Sequence, residues 1–180
     1  MRQCGTYSNA SVNLMKICKL CELCKIRKNV VLPDGPENAR LMIVGEAPGA
    51  QEDESGKPFV GLAGRKLTRI MEEEGLNRKD AFITNIVRCR PPNNRRPNSR
   101  EVNTCKRFLF ESIEKLRPEI ICTLGATSSQ FLLKSRKSIS DLQGKFYPFQ
   151  GNKCVIRPTF HPSYLNRCKK AMRLFRADMK

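Results

Sequence analysis

The chain has 180 residues, and 34 Lys and Arg against 17 Asp and Glu give it a formal net charge of +17. That length suits one sizeable core, and the cationic excess points to a polyanionic partner, because each phosphate met by a cation releases counterions. No apolar run approaches the ~20 residues of a membrane-spanning helix, and the start from Met1 to Cys4 has no signal-peptide core. A basic surface without a specific partner is the plainer alternative.

Residues 1–17 read as a polar loop followed by a short helix carrying Val12, Leu14, Met15 and Ile17. After Cys18, Cys21 and Cys24 comes a basic patch, then the turn Pro33-Asp34-Gly35-Pro36. Leu41 to Val44 is a continuous apolar run ending at Gly45, the pattern of a buried parallel strand. The Gly- and Pro-rich stretch from Glu46 to Gly64 reads as a long functional loop. Leu67, Ile70 and Met71 then recur at helical spacing, with Gly75 as the stop. Ala81 to Thr84 is a second strand, leading through Asn85 into the loop Arg88-Cys89-Arg90-Pro91-Pro92-Asn93-Asn94-Arg95-Arg96-Pro97. Ser99 to Leu116 reads as a helix, Glu119 to Gly125 as a third buried strand, and Ala126 to Leu133 as a short helix. Lys153 to Ile156 is a fourth strand running into Pro158-Thr159-Phe160-His161-Pro162, and a basic helix is expected from Tyr164 to Asp178.

Strands alternating with helices predict a three-layer αβα fold around a central, mostly parallel, four-stranded sheet, formed as a single domain over residues 1–180. Ligands of such sheets gather at the carboxyl ends of the strands. Gly45-Glu46, Asn85, Gly125 and His161 all stand just past those ends.

The nucleotide-triphosphate signatures are missing. Gly49 and Gly56-Lys57 are separated by six residues instead of four, Pro58 follows, and there is no GxGxxG. His161 is the only histidine, which excludes H-x-E zinc deaminases and multi-histidine metal sites. Phe59, in a loop, is either a hydrophobic plug or a platform for a base.

The nine cysteines, without an export signal, suit metal ligation and buried thiols in a reducing cytosol. Cys18, Cys21 and Cys24 resemble a ferredoxin run, but the fourth ligand would fall on Lys28. A Cys-x2-Cys pair can instead combine with Cys89 and Cys105, and that tetrathiolate suits zinc or a [4Fe–4S] cluster equally by spacing. Cys4, Cys122, Cys154 and Cys168 read as small buried hydrophobes or incidental thiols.

Three motifs in order then resemble the iron–sulfur uracil-DNA glycosylases, family 4. The first is Gly45-Glu46-Ala47-Pro48-Gly49 with Glu52-Asp53 and Gly56-Lys57-Pro58-Phe59-Val60-Gly61. The second is Thr84-Asn85-Ile86-Val87-Arg88-Cys89-Arg90-Pro91-Pro92-Asn93-Asn94-Arg95, and the third His161-Pro162-Ser163-Tyr164-Leu165. The resemblance implies an enzyme that flips deoxyuridine out of single- or double-stranded DNA and hydrolyses its N-glycosidic bond, leaving an abasic site. It implies catalysis by Glu46 and His161, and a base pocket made by Gly45, Ala47, Glu52, Phe59 and Asn85. Asn85 would pair with the base, Phe59 stack on it and Glu52 wall off its C5 position. DNA contacts would come from Arg88, Arg90, Arg95, Arg96, Ser163, Tyr164, Leu165 and Arg167, with Tyr164 and Leu165 as candidate wedges. A [4Fe–4S] cluster would be held by Cys18, Cys21, Cys89 and Cys105, although Cys21 and Cys24 also satisfy Cys-x2-Cys. The pair 18/21 is favoured because Leu23 and Val31 then fall where family members carry Leu and Val. The acid at Glu46 sets the chain apart from the related family 5. The same resemblance implies a monomer in the prokaryotic cytosol or nucleoid.

Overall fold

Leu41–Gly45 (β1) is apolar along its length because it lies in the middle of a sheet covered on both faces. The computed structural model describes residues 9–149, 151 and 153–180, so Cys4 and the expected N-terminal loop before residue 9 lie outside it. In chain order the other elements are helices α1 (Asn9–Lys16), α2 (Ala50–Ser55) and α3 (Leu62–Glu73), strand β2 (Ala81–Asn85) and helix α4 (Ser99–Leu116). Strand β3 (Ile120–Leu124), helices α5 (Ala126–Leu133) and α6 (Ile139–Leu142), strands β4 (Tyr147–Phe149) and β5 (Cys154–Thr159), and helix α7 (Lys169–Asp178) complete them.

The sheet order is β2-β1-β3-β5-β4, parallel except for β4, which runs antiparallel to β5. From β1 the chain crosses to β2 on one side, and β3 lies on the other, which makes the carboxyl end of β1 a topological switch point. Alternation along the strands separates two cores. Met42, Val44, Phe82 and Ile121 meet Phe108, Leu109 and Ile113 of α4. Ile43, Ile83 and Cys122 meet Leu67, Ile70 and Met71 of α3 and Phe175 of α7.

Helix α4 has the bounds its sequence predicts, for a visible reason. Asn98 Oδ1 accepts from the Glu101 N–H at 2.9 Å while Glu101 Oε2 accepts from the Asn98 N–H at 2.8 Å, a reciprocal cap.

Three expectations change. The sheet has five strands. β4 escapes sequence reading because it is three residues long and contains Pro148, tolerated only at an edge. Residues 46–64 are not all loop, since α2 forms inside them. The last helix starts at Lys169, because Pro162–Tyr164 is a 3-10 turn and Cys168 Sγ caps α7 by accepting from the Ala171 N–H at 3.4 Å. Among the described residues no helix is long and apolar enough to cross a membrane.

Asp178 ties α7 to the sheet. Buried at 6% exposure, it accepts from Thr159 Oγ1 at 2.6 Å, Gln143 Nε2 at 2.8 Å and Arg157 Nη2 at 3.3 Å. Removing the acceptor leaves Thr159 Oγ1 and Gln143 Nε2 without this partner and unpairs Arg157, whose Nη2 keeps the Ala177 carbonyl at 2.9 Å; breaking a buried charge pair costs about 3–5 kcal/mol. Asp178→Ala is therefore expected to lower the melting temperature by about 10 °C in a thermal scan. A shift below about 2 °C would remove this role.

Candidate active site

The carboxyl ends of the strands assemble a pocket whose parts touch. A Cβ built on Gly45 would stand 2.4 Å from Asn85 Oδ1 and 2.5 Å from Phe59 Cζ, so only glycine fits. Gly45 and Asn85 are register partners on β1 and β2, which places the amide beside the strand end. Asn85 is 3% exposed, and its Oδ1 has no hydrogen-bond partner in the described structure. An orphaned buried acceptor costs about 1–3 kcal/mol, a cost that a ligand's N–H can offset.

Phe59 is held from behind. Its backbone sits at φ 52°, in the left-handed region that aromatic residues rarely adopt. Arg78 fixes it there, donating from Nη2 to the Pro58 carbonyl at 2.8 Å and from Nη1 to the Phe59 carbonyl at 3.3 Å. Gly64 lets α3 approach, since a Cβ there would lie 1.9 Å from the Phe59 carbonyl oxygen. The Phe59 ring faces the imidazole of His161, centroids 6.3 Å apart and planes inclined by 37°.

His161 starts the 3-10 turn. Its Nδ1 accepts from the Ser163 N–H at 3.3 Å and lies 2.7 Å from Ser163 Oγ. With Nδ1 occupied as an acceptor, the proton of the neutral ring belongs on Nε2. Burial holds the His161 pKa below the usual 6.5, although the carboxylates of Glu46 and Glu52 pull it upward. The ring is thus a neutral Nε2–H donor at neutral pH.

Glu52 is engaged within its own loop. Its Oε1 accepts from the Gly61 N–H at 2.7 Å and its Oε2 from the Gly49 N–H at 3.1 Å. Both oxygens thereby close the loop between Gly49 and Gly61. Glu46 is half-buried at the end of β1, while half-buried Ala47 packs against the α4-side core.

The expected DNA-contacting residues divide. Ser163, Tyr164, Arg95, Arg96 and Arg167 are exposed, and Arg90 is half-exposed. Arg90 Nε donates to Asn94 Oδ1 at 2.8 Å, Arg96 Nη2 to Gln130 Oε1 at 3.1 Å, and Arg95 makes a two-pronged pair with buried Glu101 at 2.9 and 2.6 Å. Two residues do not fit the role. Leu165 is 3% exposed in the core beneath α7, and a side chain packed there cannot serve as a wedge. Arg88 is 2% exposed and turned inward, donating to the Asn85 carbonyl at 3.3 Å and to Ser112 Oγ at 3.4 Å, out of reach of a phosphate.

Cys18, Cys21, Cys24, Cys89 and Cys105 line one cavity, closed by Arg27 and Arg88. Two N–H groups point at sulfur: Arg27 Nη1 donates to Cys89 Sγ at 3.0 Å, and the Arg88 backbone N–H to Cys105 Sγ at 3.4 Å. Arg27 Nη2 also donates to the Cys18 carbonyl at 2.8 Å, linking the two halves of the cysteine set. Burial pushes the Cys89 thiol up to about 11 against the pull of Arg27, and raises Cys105 and Cys21 as well. Among the described residues no three His, Cys, Asp or Glu are spaced to hold a single metal ion. Cys122 and Cys154 are buried elsewhere and Cys168 is the α7 cap.

Sequence reading missed Arg27 and Arg78. Both look like ordinary surface cations in a basic chain, and only the fold reveals the carbonyls and sulfur they reach.

A family model described as the uracil DNA glycosylase superfamily matches residues 32–180. A type-4 uracil-DNA glycosylase of Saccharolobus solfataricus is 48% identical over 81% of this chain and 71% of its own length. One from Thermotoga maritima is 44% identical over 92% of this chain and 87% of its own. A type-5 enzyme of Pyrobaculum aerophilum is 30% identical over 76% of this chain and 66% of its own. The chain belongs to the uracil-DNA glycosylase superfamily and, within it, to the type-4 family.

As the only histidine, His161 gives one imidazole signal in a long-range proton–nitrogen spectrum. At pH 7 that signal is expected to show a neutral ring protonated on Nε2, titrating below 6.5. Because the unfolded imidazole protonates first on acidification, this group contributes a loss of stability as pH falls through about 6.5. An Nδ1-protonated ring, or a midpoint above 6.5, would contradict the assignment.

Proposed function

We propose that the chain excises uracil from DNA by hydrolysing the N-glycosidic bond of a flipped deoxyuridine, the first step of base excision repair. The observation that carries the base assignment is the orphaned Asn85 Oδ1. It can accept from uracil N3–H while Nδ2 donates to O4; cytosine offers an acceptor at N3 and a donor at C4, so both bonds fail. Phe59 stacks on one face of the base, while His161 approaches its edge.

Bond cleavage leaves negative charge on uracil and positive charge on the sugar. His161 Nε2–H donates to uracil O2 and stabilises the departing anion, with Nδ1 fixed by Ser163. Glu46 positions the attacking water or stabilises the sugar cation. Exposed Ser163, Arg96 and Arg167 contact the phosphates around the flipped nucleotide. Uracil-containing DNA as substrate places this work in the cytosol, and one chain supplies every group named.

The cysteine cavity suits a [4Fe–4S] cluster held by Cys18, Cys21, Cys89 and Cys105. The donors are soft thiols, two N–H groups already aim at sulfur, and Arg27 and Arg88 offset the anionic charge of a thiolate-bound cluster. A multi-iron cluster also places its ligand sulfurs farther apart than a single ion does. Glycoside hydrolysis has no redox step, so such a cluster supplies a cross-link between the N-terminal segment and the loop after β2.

The deciding experiment offers single- and double-stranded oligonucleotides with one uracil, followed by alkaline cleavage. Strand scission at the uracil is expected, and none above a uracil-free control would refute the reading. Asn85→Asp removes the N–H donor and is expected to reduce turnover on uracil by about 10²-fold or more. Purified protein should contain about four iron and four sulfide per chain, and Cys89→Ser should lose most of both; zinc in their place would replace the cluster assignment.

A further inference from the structure

Neighbouring carboxylates on α2 serve different parts of the molecule. Glu52 reaches across the loop that carries Phe59 and holds the Gly49 and Gly61 N–H groups. Asp53 is buried and meets the N-terminal segment instead. Its Oδ1 accepts from the Lys28 N–H at 3.0 Å and from the Asn29 N–H at 3.3 Å. Asn29 answers with its side chain, whose Nδ2 donates to the Asp53 and Glu54 carbonyls, both at 2.9 Å. Those carbonyls belong to the last turn of α2, where the helix itself offers them no partner.

At six residues, α2 is too short to hold its shape and place without tertiary support. The four hydrogen bonds exchanged with Lys28 and Asn29 supply that support. The same segment continues along two further backbones. The Val31 N–H donates to the Arg88 carbonyl at 2.8 Å, and the Leu32 N–H to the Gly56 carbonyl at 3.2 Å. Residues 28–32 therefore lie against both α2 and the stretch that leads to Cys89, and they follow directly on Cys18, Cys21 and Cys24. We infer that Asp53 is a positioning residue for base excision, an inference that rests on the glycosylase reading above. Paired with Asn29, it seats α2 on the cysteine-bearing segment, so that Glu52 closes the loop and Phe59 stays beside Asn85 at the end of β1. Asp53 acts through Glu52 and the loop, without touching substrate.

Asp53→Ala strands the Lys28 and Asn29 N–H groups, whereas Asp53→Asn keeps a carbonyl oxygen for them. The test measures full-length variants on a uracil oligonucleotide, with free uracil as competitor and a uracil-free oligonucleotide as the binding control. Asp53→Ala is expected to lower kcat/KM by about tenfold or more and to weaken inhibition by uracil by a similar factor, with affinity for uracil-free DNA within about twofold of wild type. Asp53→Asn should recover most of both. Asn29→Ala removes the other half of the pairing at an exposed position and is expected to shift both in the same direction by about threefold. A fall in turnover that only tracks the folded fraction, with uracil inhibition of the remainder unchanged, would make Asp53 a stability residue and overturn the inference. Wild-type behaviour of Asp53→Ala would do the same, as would wild-type behaviour of Asn29→Ala if Asp53→Ala does not fold. Wild-type protein that leaves the uracil oligonucleotide intact would instead refute the glycosylase reading itself.

Discussion

The close approach of Asn85 and Phe59 over Gly45 is the constraint around which the site is built. With 2.4 Å to the amide oxygen and 2.5 Å to the ring, the end of β1 has no room for any side chain. The missing Cβ allows the Asn85 amide and the Phe59 ring to share one strand end. Phe59 can lie there only in the left-handed backbone region, and Arg78, Gly64 and the Glu52 tie are what keep it in place. The pocket's geometry is thus set by backbone contacts around it, which suits recognition by preformed hydrogen bonds.

A second chain of contacts joins this pocket to the cysteine cavity. The Asn85 carbonyl accepts from the Arg88 guanidinium, and the Arg88 N–H donates to Cys105 Sγ. The residue expected to grip DNA in fact links the Asn85 carbonyl to Cys105. Arg27 does the corresponding work on the other side, bridging Cys89 and the Cys18 carbonyl. Shortening Arg88 would disturb the Asn85 carbonyl and its packing, and shortening Arg27 the cysteine cavity alone.

Much of the fold is legible in the residues because local signals and tertiary demand agree. The cap at Asn98 and Glu101 and the apolar spacing through Leu116 define α4 from sequence, and continuous apolar runs mark the parallel strands. Asn85 and His161 are legible because strand-end topology brings them together without side-chain detail. What was not legible depends on which way a side chain turns. Arg88 and Leu165 lie within the expected motifs yet point inward, and Glu52 spends its carboxylate on Gly49 and Gly61. Nothing in a linear pattern distinguishes an outward arginine from a buried one.

The arginine-rich loop bears on how the net charge of +17 translates into grip on nucleic acid. Arg95 is neutralised by Glu101, and Arg88 is withdrawn from the surface. Each phosphate neutralised adds a slope of roughly 0.9 to the fall of log affinity with log salt. Cations spent inside the protein add nothing to that slope. The loop's contribution to salt sensitivity is therefore smaller than its arginine content suggests.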